Sequence, residues 1–277
     1  MVLAGPLNAS AASVGNPHLA QTKQHITPSA VQPNANLLFH SGGSVMAGTA
    51  HVFAIFWEPT GSTVSANYNT LIKQFISDLG SSGLYHNNTQ YTGANGTIST
   101  MVLSGSFVDT AKYPSNPISD AQLQAEVTHA KSVNGWSSSV TNIFPVFTAK
   151  GENICLGSSC SFTTFCGYHN FFGSNTLYAA LPYTGTSLSG CGVPTSPNSN
   201  IDADSTINVT SHELNEAATD PLLNAWFDSS GNEIGDKCNF NFGPTISGGG
   251  DVAFTTHHYE VQKEWDNRVS GCVLTGP

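Results

Sequence analysis

The chain of 277 residues carries 8 basic and 18 acidic side chains for a formal net charge of −10; only 9% of its residues are charged, while 39% are hydrophobic. That length and apolar content suffice for one large folded domain and exclude a small disulfide-only scaffold. The acidic balance, with no run of Lys or Arg, excludes nucleic-acid binding through phosphates.

Residues 1–36 are rich in Ala, Ser, Pro and Asn and show no sustained helical or strand period, so they read as a leader remnant, a propeptide or an extended arm. Residues 37–277 read as a single α/β domain. Residues 51–58 (HVFAIFWE) form a short apolar run bounded by Pro59 and Gly61, which predicts a buried strand. In 65–79 the period changes to helical, with Tyr68, Leu71, Ile72, Phe75, Ile76 and Leu79 on one face. A strand at 101–108 and a helix at 119–132, opened by a Ser/Asp cap region, repeat the pattern. Strands follow at 142–147 and Thr176–Leu181, the second a candidate edge for an extended peptide. Cys155, Cys160, Cys166 and Cys191 lie in a loop region around them. No stretch approaches the roughly 20 apolar residues of a membrane span.

Six cysteines without CxxC spacing point to disulfides in an exported protein. Pairing Cys155 with Cys160, Cys166 with Cys191 and Cys238 with Cys272 would close a loop next to a predicted element in each case. Sequons at Asn8, Asn87, Asn95 and Asn208 would permit glycosylation.

The last predicted helix, 205–219 (STINVTSHELNEAAT), is closed by Asp220-Pro221. At about 100° per residue, Ile207, Leu214 and Ala218 point one way, and His212 and Glu216 share the opposite face with Glu213 flanking it. In a zinc-peptidase HExxH helix, two histidines four apart hold the metal and the intervening Glu activates water. Here the motif is His212-Glu213-Leu214-Asn215-Glu216, with a carboxylate in the second ligand position. Glu233 and Asp236 are the candidates for a third ligand, Asp236 alternatively orienting the free nitrogen of His212. Asp220 is a weaker candidate that could simply bind backbone, and His169 is a distant fourth. His257, His258 and Tyr259 are available as proton donor or substrate contacts, and His258 is taken as the donor. With no Met after the helix, the Met-turn peptidase class does not fit.

The stretches SHELNEAATDPLLNAWFD, NEIGDKC and YEVQKEWDNRVSGC resemble the phosphate-induced/EXORDIUM-like family of secreted plant proteins and its bacterial relatives. The early LFHSG block and Cys166-Gly167-Tyr168-His169 resemble it more loosely. The resemblance spans about residues 36–277 and implies an extracellular protein. The positions it shares include His212, Glu213, Glu216, Glu233, Asp236 and Gln262, with Asp220 standing where many relatives have Asn.

These readings converge on a secreted, monomeric α/β protein with a zincin-like layout: a twisted mixed sheet, an active-site helix and a disulfide-containing C-terminal segment. The expected function is a zinc metallopeptidase acting on peptide or protein substrates, with His212, Glu216 and Glu233 or Asp236 as ligands and Glu213 as general base. The alternative is a non-catalytic extracellular or cell-wall protein whose acids bind calcium, through an all-oxygen shell, or no metal. A third reading is a metal-free hydrolase built on carboxyl pairs at acid pH.

Overall fold

The computed structural model describes residues 19–21 and 35–276. Its centre is a seven-stranded sheet built from β1 (Leu19–Gln21), β2 (Gly48–Trp57), β3 (Thr92–Gly93), β4 (Gly96–Asp109), β5 (Asn142–Thr148), β6 (Phe165–Phe172) and β7 (Thr176–Leu181), in the spatial order β1-β6-β7-β5-β2-β4-β3. The four middle strands β7, β5, β2 and β4 run parallel, and β6, β1 and β3 add antiparallel pairings at the two sides. Parallel strands covered on both faces read as continuous apolar runs rather than alternating ones. This accounts for the uninterrupted burial of residues 143–148 and of the whole of β7.

Three helices cover the sheet: α1 (Tyr68–Leu79), α2 (Asp120–Asn134) and α3 (Ile201–Thr219). Alternation along the strands sends Phe56, Leu177 and Leu181 to one face, where they join Ile72 and Phe75 of α1 and Leu214 of α3. Ile55, Tyr178 and Ala180 go to the other face, against Leu123, Val127 and Ala130 of α2. Local sequence sets the ends of α2: the Ser119 hydroxyl accepts from the Gln122 amide while the Gln122 side chain accepts from the Ser119 amide, and Gly135 closes the helix at φ 70°.

The disulfides are Cys155–Cys160, Cys166–Cys191 and Cys238–Cys272, the pairing expected from their neighbouring elements. Three expectations are corrected. Residues 165–172, read as loop, are strand β6: the mixed FCGYHNFF segment has no clean alternation, and it is extended because β7 pairs with it residue by residue. Thr176–Leu181 is no edge, since it lies between β6 and β5. Helix α3 starts at Ile201, four residues early, because the Asn200 side chain accepts from the Ala203 amide and Asp202 and Asp204 occupy its first turn. Asn87 and Asn208 are buried, so the sequons there are closed in the folded chain. Among the described residues no helix is long and apolar enough to cross a membrane.

One buried acid on α2 makes the fold pH-sensitive. Burial, reinforced by the neighbouring Asp109 carboxylate, pushes the Glu126 carboxyl up to about 8. A carboxyl raised in the folded state binds its proton there while the unfolded chain has lost it. Stability therefore falls as pH rises from about 4.5 towards 8. Glu126→Gln should raise the melting temperature at pH 8 and leave it nearly unchanged at pH 4, as read by calorimetry.

Candidate metal centre

Helix α3 supplies His212 and Glu216, one turn apart, with Glu213 beside them. Strand β6 supplies His169, and the turn at 233–238 after α3 supplies Glu233 and Asp236. His212 Nε2 lies 3.0 Å from Glu216 Oε1 and 3.8 Å from Asp236 Oδ1. His169 Nε2 lies 3.0 Å from Glu233 Oε2 and 3.8 Å from Glu216 Oε2. The five side chains thus form two three-donor sets, His212/Glu216/Asp236 and His169/Glu216/Glu233, in each of which the ligand atoms lie within 4.8 Å of one another. Glu216 belongs to both, through a different oxygen in each.

The donors are shut away from water. His169, His212, Glu216 and Glu233 are at most 1% exposed and the Asp236 side chain 11%. Polar burial on this scale needs partners, and several atoms lack them: His212 Nε2, Glu216 Oε2 and both Glu213 oxygens have no hydrogen-bond partner among the described residues. His212 Nε2 and Glu216 Oε1 are near each other without the alignment of a hydrogen bond, as atoms aimed at a common third point would be. Burial alone would lower the His212 imidazole, but Glu216, Glu213 and Asp236 around it hold it well above its ordinary value. Burial holds the Glu213 carboxyl well above the carboxylate range; His212 and the Ala20 amide oppose this, and Glu216 and Asp236 add to it. Glu264 behaves likewise, raised by burial and by Glu216, Asp236 and Glu213, with neither oxygen partnered.

Two glycines make the packing possible. A Cβ on Gly235 would stand 2.9 Å from His212 Nδ1 and 3.1 Å from Glu216 Oε1, so only glycine lets the turn close over the helix. A Cβ on Gly167 of β6 would stand 2.7 Å from Val209 and 3.1 Å from Glu213 Oε1. The Asp236 amide donates to Glu216 Oε1 at 3.0 Å, and Asp236 Oδ2 accepts from the Glu233 amide at 3.2 Å. Gln262 reaches in from the C-terminal segment. Its amide nitrogen lies 2.9 Å from both His212 Nδ1 and the Gly235 carbonyl, its oxygen accepts from the Phe240 amide, and its own backbone amide donates to Asn208. Nδ1 is the ring nitrogen that faces Gln262, and a metal on Nε2 would need a proton on Nδ1 with the Gln262 oxygen turned towards it.

The helix expected to have one core face and one face for a chemical site is buried at every position from 203 to 219, because the 233–238 turn and the C-terminal segment cover its polar side. Of the expected site residues, His212, Glu213, Glu216, Glu233 and Asp236 come together. Asp220 serves backbone instead, its Oδ1 accepting from the Asn224 and Ala225 amides at 2.6 Å. His258 makes no contact with the cluster: its Nδ1 donates to the Gly249 carbonyl in its own hairpin, while His257 and Tyr259 bind Asp78 of α1. Sequence reasoning underweighted His169 and assigned nothing to Glu264. The CGYH block was the available signal for His169; Glu264 had none.

Fold and site together define a secreted, disulfide-bonded α/β protein with a buried imidazole–carboxylate cluster. The chain is similar to the Arabidopsis thaliana protein EXORDIUM-like 5, with 24% identity over 293 aligned positions covering 88% of this chain and 76% of the relative. It is also similar to EXORDIUM-like 3 of the same plant, with 31% identity over 150 positions covering 40% of this chain and 43% of the relative. These likenesses support an EXORDIUM-like family and agree with the extracellular setting. No protein-family profile and no solved structure matches the chain.

The Gly235 approach yields a direct test. Gly235→Ala should lower stability by about 1–3 kcal/mol, the cost of overpacking a closed interior, as measured by urea unfolding.

Proposed function

We propose that the cluster is a transition-metal centre, zinc by preference, in a secreted protein, and that the centre serves hydrolysis of peptide bonds. The observation that supports this best is the convergence of two imidazoles and three carboxylates from three separate elements. Within that set His212 Nε2 and Glu216 Oε2 are buried and unpartnered. Acidic side chains enclosed in this way must either keep their protons or hold a cation. Two imidazoles in the donor set favour zinc over calcium, which takes six to eight oxygens.

His212, Glu216 and Asp236 would hold the ion, with His169 and Glu233 forming the alternative donor set on the other oxygen of Glu216. A bound zinc supplies Lewis acidity, acidifying water and stabilising an oxyanion. Glu213, next to His212 on the helix and outside both donor sets, is positioned to take and return the proton. Gln262 orients the His212 ring. The antiparallel strand β6 runs beside the helix, and its outer edge, which β1 covers over 165–168, is the one a peptide would join by main-chain hydrogen bonds. A helix bearing HExxE under a mixed sheet with such a strand is the zincin-like layout, which is part of the proposal.

The enclosure of every donor, and the likeness to EXORDIUM-like proteins, favour a second reading: a non-catalytic extracellular protein in which the same ion is structural. Plasma mass spectrometry on the purified chain should find one zinc, lost in Glu216→Ala; a chain without transition metal removes the centre. If the centre is hydrolytic, Glu213→Ala should keep its zinc and lose chelator-sensitive casein hydrolysis by about 10²–10⁴-fold, the range for a general base. Zinc retained with no hydrolysis in either form leaves the structural reading.

A further inference from the structure

Strand β1 comes from the N-terminal arm and lies on the outer edge of β6, with Leu19 opposite Tyr168, Ala20 opposite Gly167 and Gln21 opposite Phe165. Its partners end one residue short of His169. On its other sides it touches α3 and the Asp236–Cys238 turn. Ala20 is 3% exposed and packed in the same apolar cluster as Cys166 and Val209. Opposite it, Gly167 keeps the floor of the edge low enough for Glu213 to stand against it.

A bare β6 edge would present a row of unpaired amides and carbonyls beside the metal-binding cluster, the template to which an extended peptide adds as a further strand. We propose that β6 is a peptide-binding edge and that Leu19–Gln21 is its built-in occupant, an autoinhibitory segment lying where a peptide ligand would lie. The ligand is an extended segment running antiparallel to β6. The residue facing Gly167 has to be small, because the Ala20 side chain is enclosed between the sheet and α3. The regulatory consequence rests on the hydrolytic reading of the centre; the occupancy of the edge does not.

The test uses the full chain, wild type and with Ala20→Asp, which sets a new carboxylate near Glu213, or Ala20→Pro, which removes the amide donor. Amide hydrogen exchange at 165–168 should speed up about tenfold in both variants as the edge opens locally. A fluorescent peptide with the chain's own residues 15–26 should bind the variants about tenfold more tightly than wild type, because it no longer competes with a tethered copy. The same peptide with Trp in place of its Ala should not bind. Equal exchange in all three chains overturns the proposal, as does an opened edge that binds the peptide no better than wild type. Zinc analysis of the same samples reads the centre separately: no zinc with peptide binding intact removes the centre and keeps the edge.

Discussion

Glu216 is the point at which the structure closes. Its carboxylate is fully buried, faces an imidazole through each oxygen, and accepts the backbone amide of Asp236. Strand β6, helix α3 and the turn at 233–238 all converge on it, and the glycine at 235 lets the turn approach Glu216 Oε1. An anion so enclosed is expensive unless matched by cations or protons. The surrounding residues are best understood as the means by which this chain meets that cost.

The elements legible in the sequence were those with one strong period. Residues 65–79 repeated every three to four positions because a single face of α1 is buried, and 52–57 were apolar throughout because parallel neighbours flank β2. Strand β6 was illegible because its extended form is imposed by pairing with β7, and FCGYHNFF carries little local preference of its own. The acids of α3 and of the 233–238 turn were visible as a concentration of charge in a chain nearly without it. Their complete burial was not, since it depends on a C-terminal segment folding back across the helix. His258, attractive beside His257 in the sequence, is turned away by the hairpin register and the bond to Gly249.

His169 illustrates the limit of spacing arguments. Residues that share a helix face announce themselves by separation in the chain, as His212 and Glu216 do. A residue from a neighbouring strand is placed by sheet order alone, and its number carries no trace of what it faces. The same holds for Ala20, which comes near Glu213 only because β1 pairs with the sheet at Gly167.

The disulfides acquire a meaning from this geometry. Cys166 lies three residues before His169 on β6, and Cys238 two residues after Asp236, so two of the three bridges clamp the segments that complete the cluster on either side of α3. Both bridges form only under oxidising conditions, so the surroundings of the buried imidazole–carboxylate cluster are tied to the extracellular setting as closely as the chain's location is.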